Sequence, residues 1–487
     1  MNLQLERGLI ALAMGAVVAM ASRVGLRGAG MSAAAAVVVG LLLGLAVAVA
    51  LARRLPADLD GLAKTHRWWC AAWLLVAALA VVQTARASAF MLDPTAKESS
   101  LFPNDPWYVA HNCLTAYTES ARFATSGETN VYRSELYLDR KMGTFNIDAY
   151  LYPPPFLLFP LALKAVAGTD YPHERMVWFG VSALALLAAL AAVAGALEPA
   201  SRRRAIAAMP AIWLSVPVQV GFQMSNVQLL IVSISVLSWF GFRRARPVGG
   251  ALLALATVGK IFPGVLALYL VFRRRWRDAI VTAAFGLIFC GAIYAVVGPA
   301  PFHAFVDYEL PRLSSGESFC RPFSRAFAVA HNMAPFGIPL KLEKLGVPGA
   351  GFSAGRWIST LYGLTIVALA LWAARRPRTP EAAAPGIELP VWLALLSLGT
   401  LASPFAPASY VLALVVWLAA IDRENISPAL AGFVWIATSA PFLLPREGDF
   451  LVRVLAYFPA QACALGVPAY VLWRAGRKVS RALPAST

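Results

Sequence analysis

The sequence predicts an all-α polytopic membrane protein, a single integral membrane domain over residues 1–487 with about 12 or 13 transmembrane helices. Of its residues, 59% are hydrophobic and 14% are charged, whereas soluble domains carry about 25% charged residues. The apolar residues form blocks of about 20, the length that crosses a hydrocarbon core of about 30 Å. Because unpaired backbone polar groups cannot face lipid, we expect these blocks to be helices.

The first apolar block is Met1–Ala21. It is interpreted as a retained membrane anchor rather than a cleaved signal peptide, because another apolar block follows at once. Segment 152–168 begins with Tyr-Pro-Pro-Pro, and whether it crosses fully stays open. The other predicted spans are 29–51, 70–87, 176–196, two spans joined by an outward turn between Arg204 and Arg243, and, later, about 278–298, 356–374, 388–403, 408–421, 427–445 and 451–474.

The charge distribution predicts the topology. The net charge is +17, but the arginines cluster at the ends of apolar blocks, as at Arg202–Arg204 and Arg273–Arg275. That pattern is typical of cytoplasmic loops facing anionic lipid and argues against nucleic-acid binding. It places two long loops, residues 89–151 and 299–355, on the outer, periplasmic side of the cell membrane.

The block between Arg243–Arg246 and Arg273–Arg275 is too short for two full spans, yet both of its ends are basic. Its middle reads Gly-Lys-Ile-Phe-Pro-Gly, and glycine and proline break helices. We therefore predict a hairpin of two short helices with Lys260 near its tip. An ammonium within the membrane is costly and usually functional, and here it would suit a phosphate.

The other candidate groups lie in the two outer loops and at an outward turn between two predicted spans. Asp105 either caps a helix that begins at Pro106 or acts as a general base. Gln223, Asn226 and Gln228 lie at an outward turn, where they either satisfy helix ends or bind a sugar. Arginines 312, 321 and 325 surround a serine-rich segment of the second loop and match phosphate geometry.

The sequence shows no metal motif, and no cofactor is expected. The five histidines lack ligand spacing, and Asp58-Leu59-Asp60 is interpreted as a solvated loop rather than a nucleotide-sugar metal site. Cys113 and Cys320 have no CxxC partners, and a disulfide between them stays open.

The order of these motifs resembles glycosyltransferase family 87, of the GT-C superfamily. The resemblance covers about residues 70–415 and includes the following segments: Asp105-x-x-Tyr108, Tyr152-Pro-Pro-Pro-Phe156, Asn226-x-Gln228, Gly259-Lys-Ile-Phe-Pro-Gly264, the loop Glu317–Arg325, and Ala402-Ser-Pro404. Many relatives carry Ser-Pro-x-x-Trp-x-His-His near the last motif, whereas this chain reads Ser403–Tyr410 without histidine.

The resemblance implies an inverting membrane transferase that moves mannose or an arabinofuranose-like pentose. The donor would be a polyprenyl-phosphate sugar, and the acceptor a lipid or glycan. Asp105 would be the general base. Lys260 and Arg325, with Arg321 beside them, would bind the donor phosphate. Tyr108, Gln223, Asn226, Gln228 and Tyr152 would contact substrate. A transporter or lipid flippase and a non-catalytic scaffold are the alternatives.

Overall fold

The structure is a computed structural model that describes residues 5–54, 67–375, 384–423, 425–446 and 448–482. It confirms the all-α polytopic class. By length and composition, seven helices in the described ranges are able to cross a membrane: Ala11–Gly28, Ala33–Arg53, Ala71–Leu92, Tyr171–Ala196, Trp276–Val297, Phe352–Ala374 and Phe450–Ala475. An eighth span results if the bent pair Pro199–Leu214 and Val216–Gln223 is counted as one.

This number is below the 12 or 13 spans expected, because several apolar helices are shorter than a bilayer requires. These are Pro154–Ala167, Arg246–Gly259, Pro385–Thr400, Ala408–Ile421 and Pro428–Leu443. Proline lies in the first turn or the interior of most of them, where it fixes a helix start or removes a backbone donor. Segment 152–168 is one of these short helices, and at about 1.5 Å per residue it does not reach across a core of about 30 Å.

The chain forms two compact units. The first comprises residues 1–121, 137–148 and 159–230. Its helices are Leu5–Gly28, Ala33–Arg54, Arg67–Leu92, Tyr171–Ala196, Pro199–Leu214 and Val216–Gln223. It also contains the short helix Pro106–Ala110, most of helices Leu114–Thr125 and Leu158–Ala167, and the antiparallel strand pair Lys141–Met142 with Phe145–Asn146.

Small residues let the first helices of this unit pack closely. A Cβ on Gly15 would lie 2.6 Å from the Gly44 carbonyl oxygen, and one on Gly180 would lie 2.8 Å from the Gly25 Cα. Interfaces of this kind are typical of helices that associate within a membrane, where lipid offers no hydrophobic drive for association. Helix Leu5–Gly28 therefore packs against both Ala33–Arg54 and Tyr171–Ala196.

The second unit comprises residues 122–136, 149–158 and 231–487. Its helices are Arg246–Gly259, Gly264–Phe272, Trp276–Val297, Phe352–Ala374, Pro385–Thr400, Ala408–Ile421, Pro428–Ser439 and Phe450–Ala482, together with the part of Gln228–Arg244 from residue 231. Between residues 299 and 351 it has only short helices, namely Ala300–Ala304, the π-helical turn Phe305–Glu309, Leu310–Ser315, the 3-10 helix Glu317–Phe319, Cys320–Ser324, Ala326–Ala330 and Gly337–Lys344.

Candidate functional site

Asp105 is the N-cap of helix Pro106–Ala110, which was one of its two predicted roles. One carboxylate oxygen, Oδ1, accepts the backbone N–H of Trp107 at 2.9 Å and that of Tyr108 at 3.4 Å. Proline at the next position has no N–H to satisfy and favours the helix start. The cap fixes the direction of a half-buried carboxylate at the start of the first loop.

Gln223 holds this loop to the end of helix Val216–Gln223. Its Nε2 donates to the Ser100 hydroxyl and to the Tyr108 carbonyl, both at 2.9 Å, and its Oε1 accepts the Leu101 N–H at 2.6 Å. Tyr108 is itself buried, with its ring 4.6 Å from that of Phe102. The amide of Gln223 thus satisfies protein groups, the structural alternative considered for it.

Asn226 and Gln228 lie in the predicted turn before helix Gln228–Arg244. Ser225 has a φ of 50°, which reverses the chain, and the Asn226 Oδ1 accepts the Gln228 N–H at 2.9 Å. The other side of the Asn226 amide donates to the Cys113 sulfur at 3.3 Å. Both side chains are buried, so the turn is an integral part of the first unit.

The structure also brings together three side chains that the sequence spacing did not connect. His111, Cys113 and Asp148 offer one metal-ligand atom each, and these atoms lie within 4.8 Å of one another. His111 and Cys113 are two residues apart, but Asp148 comes from a later segment. A short motif pattern could not have found this group; only the fold pairs the two segments.

In the second unit, the predicted hairpin around Lys260 is confirmed. Helix Arg246–Gly259 ends at the extended residue Lys260, and the next helix begins after Pro263. The start and the end of the hairpin meet at one carboxylate, since Asp278 Oδ1 accepts from Arg246 Nε and Oδ2 accepts from Arg275 Nε, each at 2.7 Å. The two arms therefore run out and back, with Lys260 at the far end.

The distance from the base of this hairpin to its tip can be estimated from a neighbouring helix that contacts both. In Pro385–Thr400, Glu388 pairs with Arg275 at 3.2 Å, whereas a Cβ on Gly399 would lie 3.0 Å from the Phe262 carbonyl at the tip. Eleven residues of helix separate these contacts, or about 16 Å. That is roughly half of a hydrocarbon core of about 30 Å.

The arginines predicted to mark the cytoplasmic side gather at the base of the hairpin. Glu388 also forms an ion pair with Arg243 at 3.6 Å, and Arg273 donates to the Ala374 carbonyl at 3.5 Å. Arginines of two basic clusters, Arg243–Arg246 and Arg273–Arg275, thus share one end of the second unit. The grouping agrees with the topology inferred from charge, while the side of the membrane stays a prediction.

Tyr152 contacts Lys260 within this unit. The Lys260 ammonium lies 5.6 Å from the centre of the Tyr152 ring, which stacks on Phe156 at 4.3 Å. The Tyr152 carbonyl accepts the Tyr132 hydroxyl at 3.0 Å. An aromatic face beside an ammonium forms a cation–π contact, so these two predicted residues are brought together.

Arg321 and Arg325 are exposed on the short helix Cys320–Ser324 and at its C-terminal end. Close to them in sequence, Glu309 is a fully buried carboxyl in the π-helical turn, and burial raises its pKa to about 7. Arg312 approaches both Glu309, at 3.9 Å, and Glu317, at 3.3 Å. Nothing in the sequence around Glu309 predicts that its carboxyl is buried.

The Ser-Pro segment near residue 404 is tied to the second loop. Asn332 donates to the Pro404 carbonyl at 2.9 Å and accepts the Ala406 N–H at 2.9 Å. His331 stacks on Phe327 in the same region. The segment therefore has a defined structural partner even though it lacks the histidines of many relatives.

Cys113 is a buried free cysteine of the first unit, and Cys320 is an exposed free cysteine of the second. Asp58 and Asp60 lie outside the described residues. Asp105 belongs to the first unit and Lys260 to the second. The contribution of both to one catalytic site stays a prediction.

Part of the chain matches a known protein family. The model of glycosyltransferase family 87 matches residues 150–404, slightly more than half of the chain. This range includes Tyr152, Lys260, Arg321 and Arg325, and it begins after Asp105. No curated protein and no solved structure matches the chain.

Proposed function

Since this chain belongs to glycosyltransferase family 87, we propose that it moves a sugar from a polyprenyl-phosphate donor to a lipid or glycan acceptor at the outer face of the membrane. The family and the apolar helices make it a multi-pass membrane glycosyltransferase. The observation that carries the donor assignment is the hairpin, whose tip lies about 16 Å from its arginine-rich base and includes Lys260.

The donor phosphate is assigned to cations of the second unit. Lys260 at the hairpin tip supplies one charge, and Arg321 and Arg325 supply guanidinium groups, which match phosphate oxygens in bidentate geometry. Tyr152 offers an aromatic face beside the ammonium. Stabilising the charge that develops on the departing phosphate is expected to be the largest catalytic contribution.

Asp105 is assigned the proton transfer. An acceptor hydroxyl attacks the anomeric carbon, its proton goes to the Asp105 carboxylate, and the carbon–oxygen bond to the lipid phosphate breaks. One displacement inverts the anomeric configuration. Tyr108, Gln223, Asn226 and Gln228 then support the reaction by holding the loop and the turn, as their hydrogen bonds indicate.

The N-cap makes Asp105 unusually testable. Asparagine caps a helix about as well as aspartate, so Asp105→Asn keeps the acceptor oxygen and removes the proton acceptor. Alanine removes the cap as well, at a cost of about 1 kcal/mol. A role in catalysis predicts that both variants are inactive but that only the alanine variant is less stable.

The experiment uses purified full-length protein with a panel of labelled polyprenyl-phosphate sugars, and it measures released polyprenyl phosphate and glycosylated acceptor. Asp93→Asn is the matched control, because Asp93 also caps a local turn in the first loop, through Thr95 at 2.9 Å. Asp105→Asn at wild-type activity would exclude the base. Lys260→Met with an unchanged donor KM would exclude the phosphate assignment, and no turnover with any donor would favour the scaffold.

A further inference from the structure

Two segments of the first unit meet at a group of three ligating side chains. His111 ends the short helix Pro106–Ala110, Cys113 follows two residues later, and Asp148 follows the strand Phe145–Asn146. A backbone bridge joins His111 to Asn146, and the Asp148 N–H donates to the Thr115 hydroxyl at 3.1 Å. The two segments are therefore held together independently of the three side chains.

The side-chain distances are those of ligands around one ion. The His111 Nε2 lies 3.3 Å from Asp148 Oδ2 and 3.6 Å from Cys113 Sγ. A tetrahedral zinc with bonds of about 2.1 Å to nitrogen and oxygen and about 2.3 Å to sulfur separates N from O by about 3.4 Å and N from S by about 3.6 Å. We propose that His111, Cys113 and Asp148 bind one Zn²⁺ ion.

A direct hydrogen bond explains the geometry less well. Charge-assisted N–H···O bonds measure about 2.7–2.9 Å, shorter than the distance between His111 and Asp148. A single imidazole nitrogen has at most one hydrogen, yet both the carboxylate and the sulfur face Nε2. An ion between the three atoms accounts for their convergence, and N, S and O donors together suit zinc.

The surroundings resemble the outer shell of a metal site. Asn226 Nδ2 donates to the Cys113 sulfur at 3.3 Å, and Trp107 stacks on the His111 ring at 4.2 Å. Contacts of this kind orient metal ligands and hold their rings in place. The Asp148 side chain is 32% exposed against 14% for His111, so water has access to a fourth position from the Asp148 side.

The same unit contains a histidine–aspartate pair that lacks these features. His173 and Asp170 are 3.1 Å apart, three residues from one another on the surface, and their side chains are 38% and 57% exposed. No cysteine joins them among the metal-ligating groups of the described residues. This pair is an ordinary surface ion pair and provides a matched control.

His111, Cys113 and Asp148 all lie before residue 150, where the family match begins. A bound ion would join the helix capped by Asp105 to the strand pair and to the Asn226 turn. It would thereby fix the first loop without entering the transfer reaction. The site does not depend on the proposed donor, and its test needs neither donor nor acceptor.

The test is a metal titration of the full chain in detergent, after treatment with a chelator. Zn²⁺ alone is titrated in competition with a chromophoric chelator, and Co²⁺ is used to report thiolate ligation by its charge-transfer absorption. We expect about one Zn²⁺ per chain. Losing an outer-shell partner costs about 10–100-fold in affinity, so Cys113→Ser and Asp148→Asn should each weaken binding by at least about 100-fold.

His173→Ala and Cys320→Ser should bind zinc like the wild type. Gel filtration and metal-free thermal unfolding establish that each variant is folded. The proposal is overturned if the wild type takes up no Zn²⁺, if folded Cys113→Ser binds it unchanged, or if Cys320→Ser loses it equally.

Discussion

The hairpin that carries Lys260 should depend on Asp278. The buried Asp278 carboxylate forms ion pairs with Arg246 and Arg275. In Asp278→Asn it becomes a neutral amide with a single acceptor oxygen. Hydrogen bonds to charged groups contribute about 1.5–3 kcal/mol when shielded. Arg275 is 25% exposed and merits that range, whereas Arg246 is 47% exposed and contributes about 1 kcal/mol or less.

The expected loss is therefore about 1.5–4 kcal/mol of stability. It is measured as a lower midpoint of thermal unfolding, followed by tryptophan fluorescence in detergent. If the hairpin positions Lys260 for the donor, the donor KM should rise as well. Asp307→Asn, which neutralises an exposed carboxylate of the second loop, is the control. An Asp278→Asn protein as stable as this control would refute the idea that the carboxylate anchors the hairpin.

Three further variants test other features of the structure. Gln223→Leu removes three hydrogen bonds of about 1 kcal/mol each. It should unfold at a lower temperature than Gln219→Leu, which removes only the hydrogen bond from Gln219 to the Trp213 carbonyl. Equal midpoints of thermal unfolding would contradict this. Burial raises the pKa of Glu309 to about 7, so the folded protein keeps this proton between pH 4.5 and about 7 while the unfolded chain loses it. The stability of the wild type should therefore fall by at most about 3 kcal/mol as the pH rises through that window. Glu309→Gln should remove this fall. Burial lowers the pKa of Lys341 to about 7, so between pH 7 and 10.5 the unfolded chain binds a proton that the folded protein does not. Stability should therefore rise with pH over this range. An unchanged rise in Lys341→Met would exclude this lysine as the cause.

The sequence predicted the helices well because apolar length and charge are local properties. The spans at 176–196, 278–298 and 356–374 are confirmed as helices within a few residues. The break at Lys260 was also predictable, since glycine and proline flank it. The number of full spans was overestimated, because an apolar block does not reveal that its helix is shorter than the bilayer.

The site was less accessible to prediction, because its contacts join distant segments. Asp105 could be recognised as a cap from the proline after it. No local sequence pattern indicates that Asp148 lies beside His111 or that Asp278 forms ion pairs with two arginines. None indicates that Glu309 is buried. Each depends on the packing of elements far apart in the sequence.

The cap at Asp105 has a consequence for the speed of a proton transfer. A carboxylate on an exposed loop samples several rotamers, and each encounter must wait for the correct one. Here folding has already selected the rotamer, because one oxygen holds two backbone amides. For the proposed base, that orientation is present before any acceptor arrives, so the activation entropy contains little cost for ordering this side chain.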